Sequence, residues 1–442
     1  MTSSFSGSSS SADVDTGAMA VDEEHRLFRK IAWRFLPVLM LGYLAASIDR
    51  VNVGFAKLHM AQTLGLSDAM YGFGAGIFFV GYFFFEVPSN LILYRVGARR
   101  WLARIMVSWG VVSGLMMFVS TPWQFYAARF ALGVAEAGFI PGVIYYLTSW
   151  FPAHRRGRVM GVFYIALALS GLIGGPVSGW ILQNMPGVWG LAGWQWMFLL
   201  EALPTIAVAG LILATLDDRI EDAQWLDASE RTNLLRVMQN EVRHKPHLSM
   251  REMFANRHLA VMCLIFFANI FAMYGLGFWM PTLIKNMGVA SDLHIGLLSA
   301  LPSLCAIPAM VLFGRSADRH GERRWHLATL FLIGAVGLAL TVIWQHEPAL
   351  GILALCVANF GILAIPPMFW SLPTALLSGA AAAAGIALIN CLANLSGFLG
   401  PYIVGTVKQL TGTSEASIWL MCAVLFAGAL LVLSIPARLV NR

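Results

Sequence analysis

Ala128-Arg-Phe-Ala-Leu-Gly-Val-Ala-Glu-Ala-Gly-Phe-Ile-Pro141 carries two opposite charges, Arg129 and Glu136, inside an apolar run at 123–147. The run is long enough to cross a bilayer as a helix, which takes about 20 residues. Arg129, Gly133 and Glu136 fall at i, i+4 and i+7, so a helix sets them on one face. An ionised side chain at that depth is costly unless it is paired or faces a wet cavity, and the face must therefore look inward. A second pair, Asp49-Arg50, interrupts the run at 31–55 in the same way. Two arginines and two carboxylates inside a membrane suggest an anion site whose charge is set by protons.

The rest of the chain is of the same kind. Its 442 residues are 58% hydrophobic and 12% charged, where a soluble domain carries about 25% charged residues. Apolar runs near spanning length recur at 31–55, 69–94, 101–120, 123–148, 159–183, 195–215, 258–284, 293–314, 326–344, 349–377, 384–408 and 415–436. They predict an all-α membrane protein with twelve transmembrane helices. The net charge of +6 is not a nucleic-acid footprint, because 24 of the 29 Lys and Arg fall in loops or span ends on one side. The other side holds Lys57, Lys285 and Lys408, and by the positive-inside rule both termini and the middle loop are expected in the cytoplasm. The five cysteines lie within or at the edge of spans without paired spacing, and read as small core residues. Neither a metal nor a cofactor is expected; protons would be the coupling ion.

An internal repeat organises the chain. Tyr94-Arg-Val-Gly-Ala-Arg-Arg-Trp101 recurs 224 residues later as Asp318-Arg-His-Gly-Glu-Arg-Arg-Trp325, and Gly175-Pro176 recurs 225 residues later as Gly400-Pro401. The predicted divisions are a disordered Ser-rich cytoplasmic tail at 1–24, a six-helix half at 25–216, a polar central loop at 217–256 and a second six-helix half at 257–442. The loop should be helical in part, at 228–242. Two helical halves around a midplane site are the construction of many secondary transporters.

Gly314-Arg-Ser-Ala-Asp-Arg-His-Gly-Glu-Arg-Arg324 resembles the signature loop between the second and third helices of each half in the major facilitator superfamily. In the first half the same loop is degenerate, with Tyr94 in place of the acid and Asn90 in place of the first glycine. That departure, with Phe85-Glu-Val-Pro-Ser-Asn90, Ile48-Asp-Arg-Val-Asn52 and Arg129 to Glu136, resembles the anion:cation symporter branch. The stretch at 379–400, with Asn390 and Asn394, is similar to bacterial permeases for tartrate, phthalate or hydroxyphenylacetate. The resemblance implies the twelve-helix fold, a gating role for Gly314, Asp318, Arg319, Gly321 and Arg323, protonation at Asp49 and Glu136, and Arg50 and Arg129 near a substrate carboxylate. It also implies a multi-pass protein of the bacterial inner membrane, expected to work as a monomer.

The same chemistry follows from the residues. Guanidinium stays charged at any ordinary pH, whereas burial disfavours the ionised forms of Asp49 and Glu136. With both acids ionised the four groups sum to zero. Protonating one leaves positive charge that an organic carboxylate can neutralise through bidentate contacts, so proton and anion favour each other's binding, as symport requires. The competing structural reading makes Arg129 and Glu136 an ion pair that locks the fourth helix to its neighbours.

No Asp, Glu, Lys or Arg lies mid-span in the second half, so its share of a site must be neutral. Trp370 and Ser371, among three prolines in the tenth span, and Asn390 and Asn394, one turn apart in the eleventh, are the candidates, facing Tyr82 of the second span. The alternative for the two asparagines is hydrogen bonding between helices. Tyr274 and Trp279 fit either the site or an interfacial aromatic belt. Glu86 is expected to pair with Arg95, Arg99 or the adjoining loop, and Glu201 with a helix end or the signature loops. Ser47, where sugar-acid members of the branch tend to carry tyrosine, and the apolar interior of 164–170 favour a less hydroxylated, aromatic carboxylate. The reading is a secondary transporter that brings a small organic anion and protons into the cytoplasm by alternating access. Its rivals are an anion exchanger or efflux antiporter and a transporter-like sensor; no nucleotide loop or nucleophile arrangement points to an enzyme.

Overall fold

A computed structural model of the chain describes residues 21–242, 257–376 and 379–441. The expected tail at 1–24 falls almost wholly outside them, as does the end of the central loop. Twelve spans among the described residues are long and apolar enough to cross a membrane. The first half comprises α1 (Val21–Leu64), α2 (Asp68–Val96), α3 (Ala98–Leu115), α4 (Pro122–Glu136), α5 (Phe139–Trp150), α6 (Ala153–Asn184) and α7 (Gly193–Thr215). The linker helix α8 (Ala228–Val242) has the bounds read from its sequence. The second half comprises α9 (Arg257–Asn286), α10 (Asp292–His320), α11 (Arg324–Ile343), α12 (Pro348–Phe369), α13 (Ser371–Leu376), α14 (Gly379–Thr411), α15 (Glu415–Ser434) and the short α16 (Ala437–Val440).

Two spans are divided, the fourth against expectation and the tenth as its three prolines predict. The fourth is divided at Ala137 and Gly138, where Gly138 takes the left-handed conformation at φ 89°. Glu136 therefore ends α4 rather than lying mid-helix, and the turn brings its carboxyl inward. The tenth is divided at Trp370, after Pro366 and Pro367 inside α12 and before Pro373 in α13.

The halves meet through α1 with α9, α2 with α14, and α6 with α10. The last two pairings are the same contact in the two repeats. A Cβ on Gly72 of α2 would strike the Pro401 carbonyl of α14, and one on Gly296 of α10 would strike the Gly175 carbonyl of α6. Gly296 stands 224 positions after Gly72, so the repeat is also an interface symmetry. These contacts sit at the face away from the termini, where His59 meets Asp292 at 2.7 Å and Gln183 accepts from Ser291 Oγ at 2.6 Å. Lys57 and Lys408, one from each half, both reach Asp68, at 2.7 and 3.2 Å. The Lys57 ammonium also lies over the Trp279 ring, 3.4 Å from its centroid, and Trp279 is buried rather than part of a lipid-facing belt.

On the terminal face, each half ties its loop to its last span in the same way. The Arg99 amide donates to Asp218 Oδ1 at 2.8 Å and its Nε to the Leu213 carbonyl at 2.7 Å. The Arg323 amide donates to Asn441 Oδ1 at 3.0 Å, and the Arg324 guanidinium to the Leu433 carbonyl. The degenerate first loop thus keeps the structural arrangement of the second. Gly314 lies inside α10 rather than in a loop, Gly321 ends that helix in the left-handed region at φ 62°, and Arg319 is exposed. The side chain of Asp318 is outside the described residues.

Candidate functional site

Besides Lys57 at the far face, the first half buries the carboxyl and guanidinium groups of Asp49, Arg50, Glu86, Arg129, Glu136 and Glu201. Arg50, on α1, donates from Nε to Glu136 Oε1 at 2.8 Å, and its Nη2 lies 2.5 Å from the same oxygen. Its Nη1 reaches across to the Tyr274 hydroxyl of α9 at 3.1 Å. Tyr274 is therefore buried at the junction of the halves and not part of an interfacial belt. Tyr82 lies beneath the same guanidinium with its ring face, the centroid 5.2 Å away.

Arg129 is fully buried, yet its guanidinium makes one hydrogen bond, from Nη2 to the Ala75 carbonyl at 3.2 Å. Its Nε and Nη1 are buried without a hydrogen-bond partner, and so is Glu136 Oε2. Arg129 and Glu136 share a helix face but no ion pair joins them, since Arg50 takes the carboxylate. The Phe78 ring lies within 5.2 Å of Arg129 and 5.6 Å of Arg50. Close helix approach makes this possible: a Cβ on Gly133 would strike the Phe78 carbonyl. An unsatisfied guanidinium in so dry a place is expensive, and a bidentate carboxylate is the partner whose geometry fits it.

Asp49 turns away from the arginines. Its Oδ1 accepts from Ser113 Oγ at 2.8 Å and its Oδ2 from the Trp109 indole, both on α3. Asn52 Nδ2, one turn along α1, lies 3.3 Å from Asp49 Oδ1 and 2.9 Å from Glu201 Oε2, and Ser178 Oγ donates to Glu201 Oε1 at 2.6 Å. Glu201 is therefore not held by a helix end or a signature loop, because the packing of α7 against α1 and α6 sets it on Asn52 and Ser178. Nothing in local sequence pointed there.

Glu86 is likewise not paired with Arg95, Arg99 or the adjoining loop. Asn390 and Asn394 of α14 donate to its two carboxyl oxygens at 3.0 and 3.3 Å. Their one-turn spacing, read as a substrate-facing pair, matches the two oxygens of one carboxylate across the interface. Trp370 stands edge-on to Phe266 and Phe369, with centroids 4.9 and 5.4 Å away, and Ser371 Oγ donates to the Met368 carbonyl at 2.7 Å. Tyr43 stacks on Phe163 at 4.8 Å and meets Tyr164 edge-on at 5.8 Å. These tyrosines extend the aromatic wall beyond the residues that sequence reading selected. The five cysteines are free thiols inside helices.

Buried opposed charges at the junction of two pseudo-symmetric six-span halves define a membrane transporter. The chain belongs to the Major Facilitator Superfamily, whose family model matches residues 39–401 and 288–440. It is 46% identical over 434 residues, covering 98% of both chains, to a putative metabolite transport protein, NicT, of Pseudomonas putida. It is 47% identical to a putative tartrate transporter of Agrobacterium vitis, over 94% of this chain and 96% of that one. The solved structure of a D-xylose-proton symporter superposes with a TM-score of 0.73 over 92% of this chain and 98% of its own, at 17% identity, which speaks for the fold alone.

Proposed function

We propose that the protein is a proton-coupled symporter that carries a small organic carboxylate into the cytoplasm of a bacterial cell. It would sit in the inner membrane with both termini inside and work as a monomer. The observation that carries this reading is the fully buried Arg129, with two guanidinium nitrogens unpartnered, beside an Arg50 whose charge is held by Glu136. Protonating Glu136 frees Arg50 while Arg129 is already open. An incoming carboxylate then finds two guanidinium groups, hydroxyls at Tyr274 and Tyr82, and an aromatic wall. The anion replaces Glu136 as counter-ion, so it binds only together with a proton. Because Arg50 touches both Glu136 and Tyr274, the exchange of counter-ions is felt on both halves, which alternating access needs.

The relatives named as tartrate transporters support a small carboxylate; the tyrosine-rich wall favours one with an aromatic ring. The test is uptake of labelled tartrate, phthalate, hydroxyphenylacetate and galactonate by proteoliposomes under an inward proton gradient, with and without a protonophore. Accumulation that collapses with the protonophore is expected for at least one acid. Movement only into vesicles preloaded with an anion would instead establish exchange, and Glu136 would then be a structural partner of Arg50, and Asp49 a structural partner of α3.

A further inference from the structure

Asp49 and Glu201 are two buried carboxyls joined by a single neutral amide. Asn52 Nδ2 carries two hydrogens and lies within hydrogen-bond reach of one oxygen of each acid, at 3.3 and 2.9 Å. The remaining close partners, Trp109, Ser113 and Ser178, are neutral too. Asp49 and Asn52 are 1% exposed and Glu201 8%, so water screens the pair little.

The charged groups around them are few. Asp49 feels the charges of Glu136 and Arg129 of α4 without bonding to either and adjoins Arg50 along α1; its own partners on α3 are Trp109 and Ser113. Glu201 faces Asp49, Asn52 and, from α6, Ser178. Glu136 already occupies Arg50. Two ionised carboxylates on one amide, with no cation bonded to either, repel at low dielectric. Groups so placed titrate as a pair and not independently.

Asn52 also keeps a buried Oδ1 with no hydrogen-bond partner. As placed, with one hydrogen toward each acid, the amide fits the doubly ionised pair; a half turn would exchange its two atoms and set the oxygen between the acids, where it could accept from a protonated one.

We propose that Glu201 is a positioning residue for proton uptake, setting through the Asn52 amide the pH at which Asp49 takes up a coupling proton. The proposal rests on the proton-symport reading but is tested separately from it. The experiment is a pH titration of the protonated-carboxyl C=O stretch by infrared spectroscopy on the full-length protein in liposomes. No substrate is needed. The band lost in Asp49→Asn identifies Asp49. In Glu201→Gln that band is expected to titrate at least about one pH unit lower than in the wild type, the size of coupling that makes two groups one titrating unit. A neutral neighbour no longer opposes ionisation of Asp49, whereas a merely structural role would leave the midpoint in place. Coincident curves would overturn the proposal. Should Glu201→Gln fail to fold, the interaction energy, which is common to both directions, is read as a downward shift of the Glu201 band in Asp49→Asn, and an unshifted band there would overturn the proposal. Loss of protonophore-sensitive accumulation by the wild type is the separate result that would end the symport reading.

Discussion

Arg50 and Tyr274 stand 224 positions apart in sequence and meet at 3.1 Å, one from each half of the molecule. The same guanidinium holds Glu136, so a change of charge on that acid is transmitted to the interface by one side chain. Glu136→Gln removes the charge and keeps the shape. We expect the variant to retain anion counterflow within about threefold of the wild type and to lose accumulation driven by a proton gradient. Both are measured in the same proteoliposomes; retained accumulation would exclude Glu136 as a coupling group.

Arg129→Lys should abolish uptake even though charge is conserved. A lysine is a point charge and cannot present the two parallel donors of a guanidinium fork. The expected fall in kcat/KM is on the order of 100-fold or more, or about 2.7 kcal/mol. Size-exclusion and thermal-unfolding profiles close to the wild type would place the loss in binding rather than in folding.

Asp68 is the one carboxylate between Lys57 and Lys408, which arrive from opposite halves. Asp68→Asn removes the anion that ties Lys408 of the second half to the first near Trp279, at the face away from the termini. With that ion pair lost, the variant should populate a state opened on that face. Spin labels on Thr63 and His294, both exposed there, should show a longer-distance population by pulsed electron resonance. An unchanged distribution would mean that the glycine contacts at Gly72 and Gly296 close the face unaided.

Glu322 lies outside the spans, at the start of α11. Partial burial works against its charge, but hydrogen bonds from the Trp325 amide, the His326 ring and Asn441 outweigh it and hold the carboxyl below its ordinary value. A depressed carboxyl stabilises the fold above its unfolded-state value and loses that effect as pH falls through the folded-state one. Glu322→Gln should therefore lower thermal stability at neutral pH by about 1 kcal/mol, with the difference from the wild type closing below about pH 4. A difference that persists at low pH would indicate a packing effect instead.

Much of the architecture was legible because the bilayer imposes it locally. Each span is read from its own run of apolar residues, and the repeat from two short stretches compared with each other. Gly138 was in plain view, but only the backbone reveals that it ends α4 and turns Glu136 toward Arg50. Glu86 and Glu201 have partners that their local sequence does not indicate, for a common reason. Their true partners, Asn390 for Glu86 and Asn52 for Glu201, lie 304 and 149 positions away, and no periodicity links residues so far apart.

The sequence by itself therefore determined the class of protein and the identity of the buried charges, which depend on the free energy of moving one segment from water into lipid, and the two-fold repeat, which two stretches show when compared. Tertiary structure alone decided which charge meets which. Helix packing, through the close approaches at Gly133, Gly72 and Gly296, sets Arg50 on Glu136, leaves Arg129 open and places one amide between Asp49 and Glu201. Those pairings depend on distances between helices, which a linear sequence does not contain.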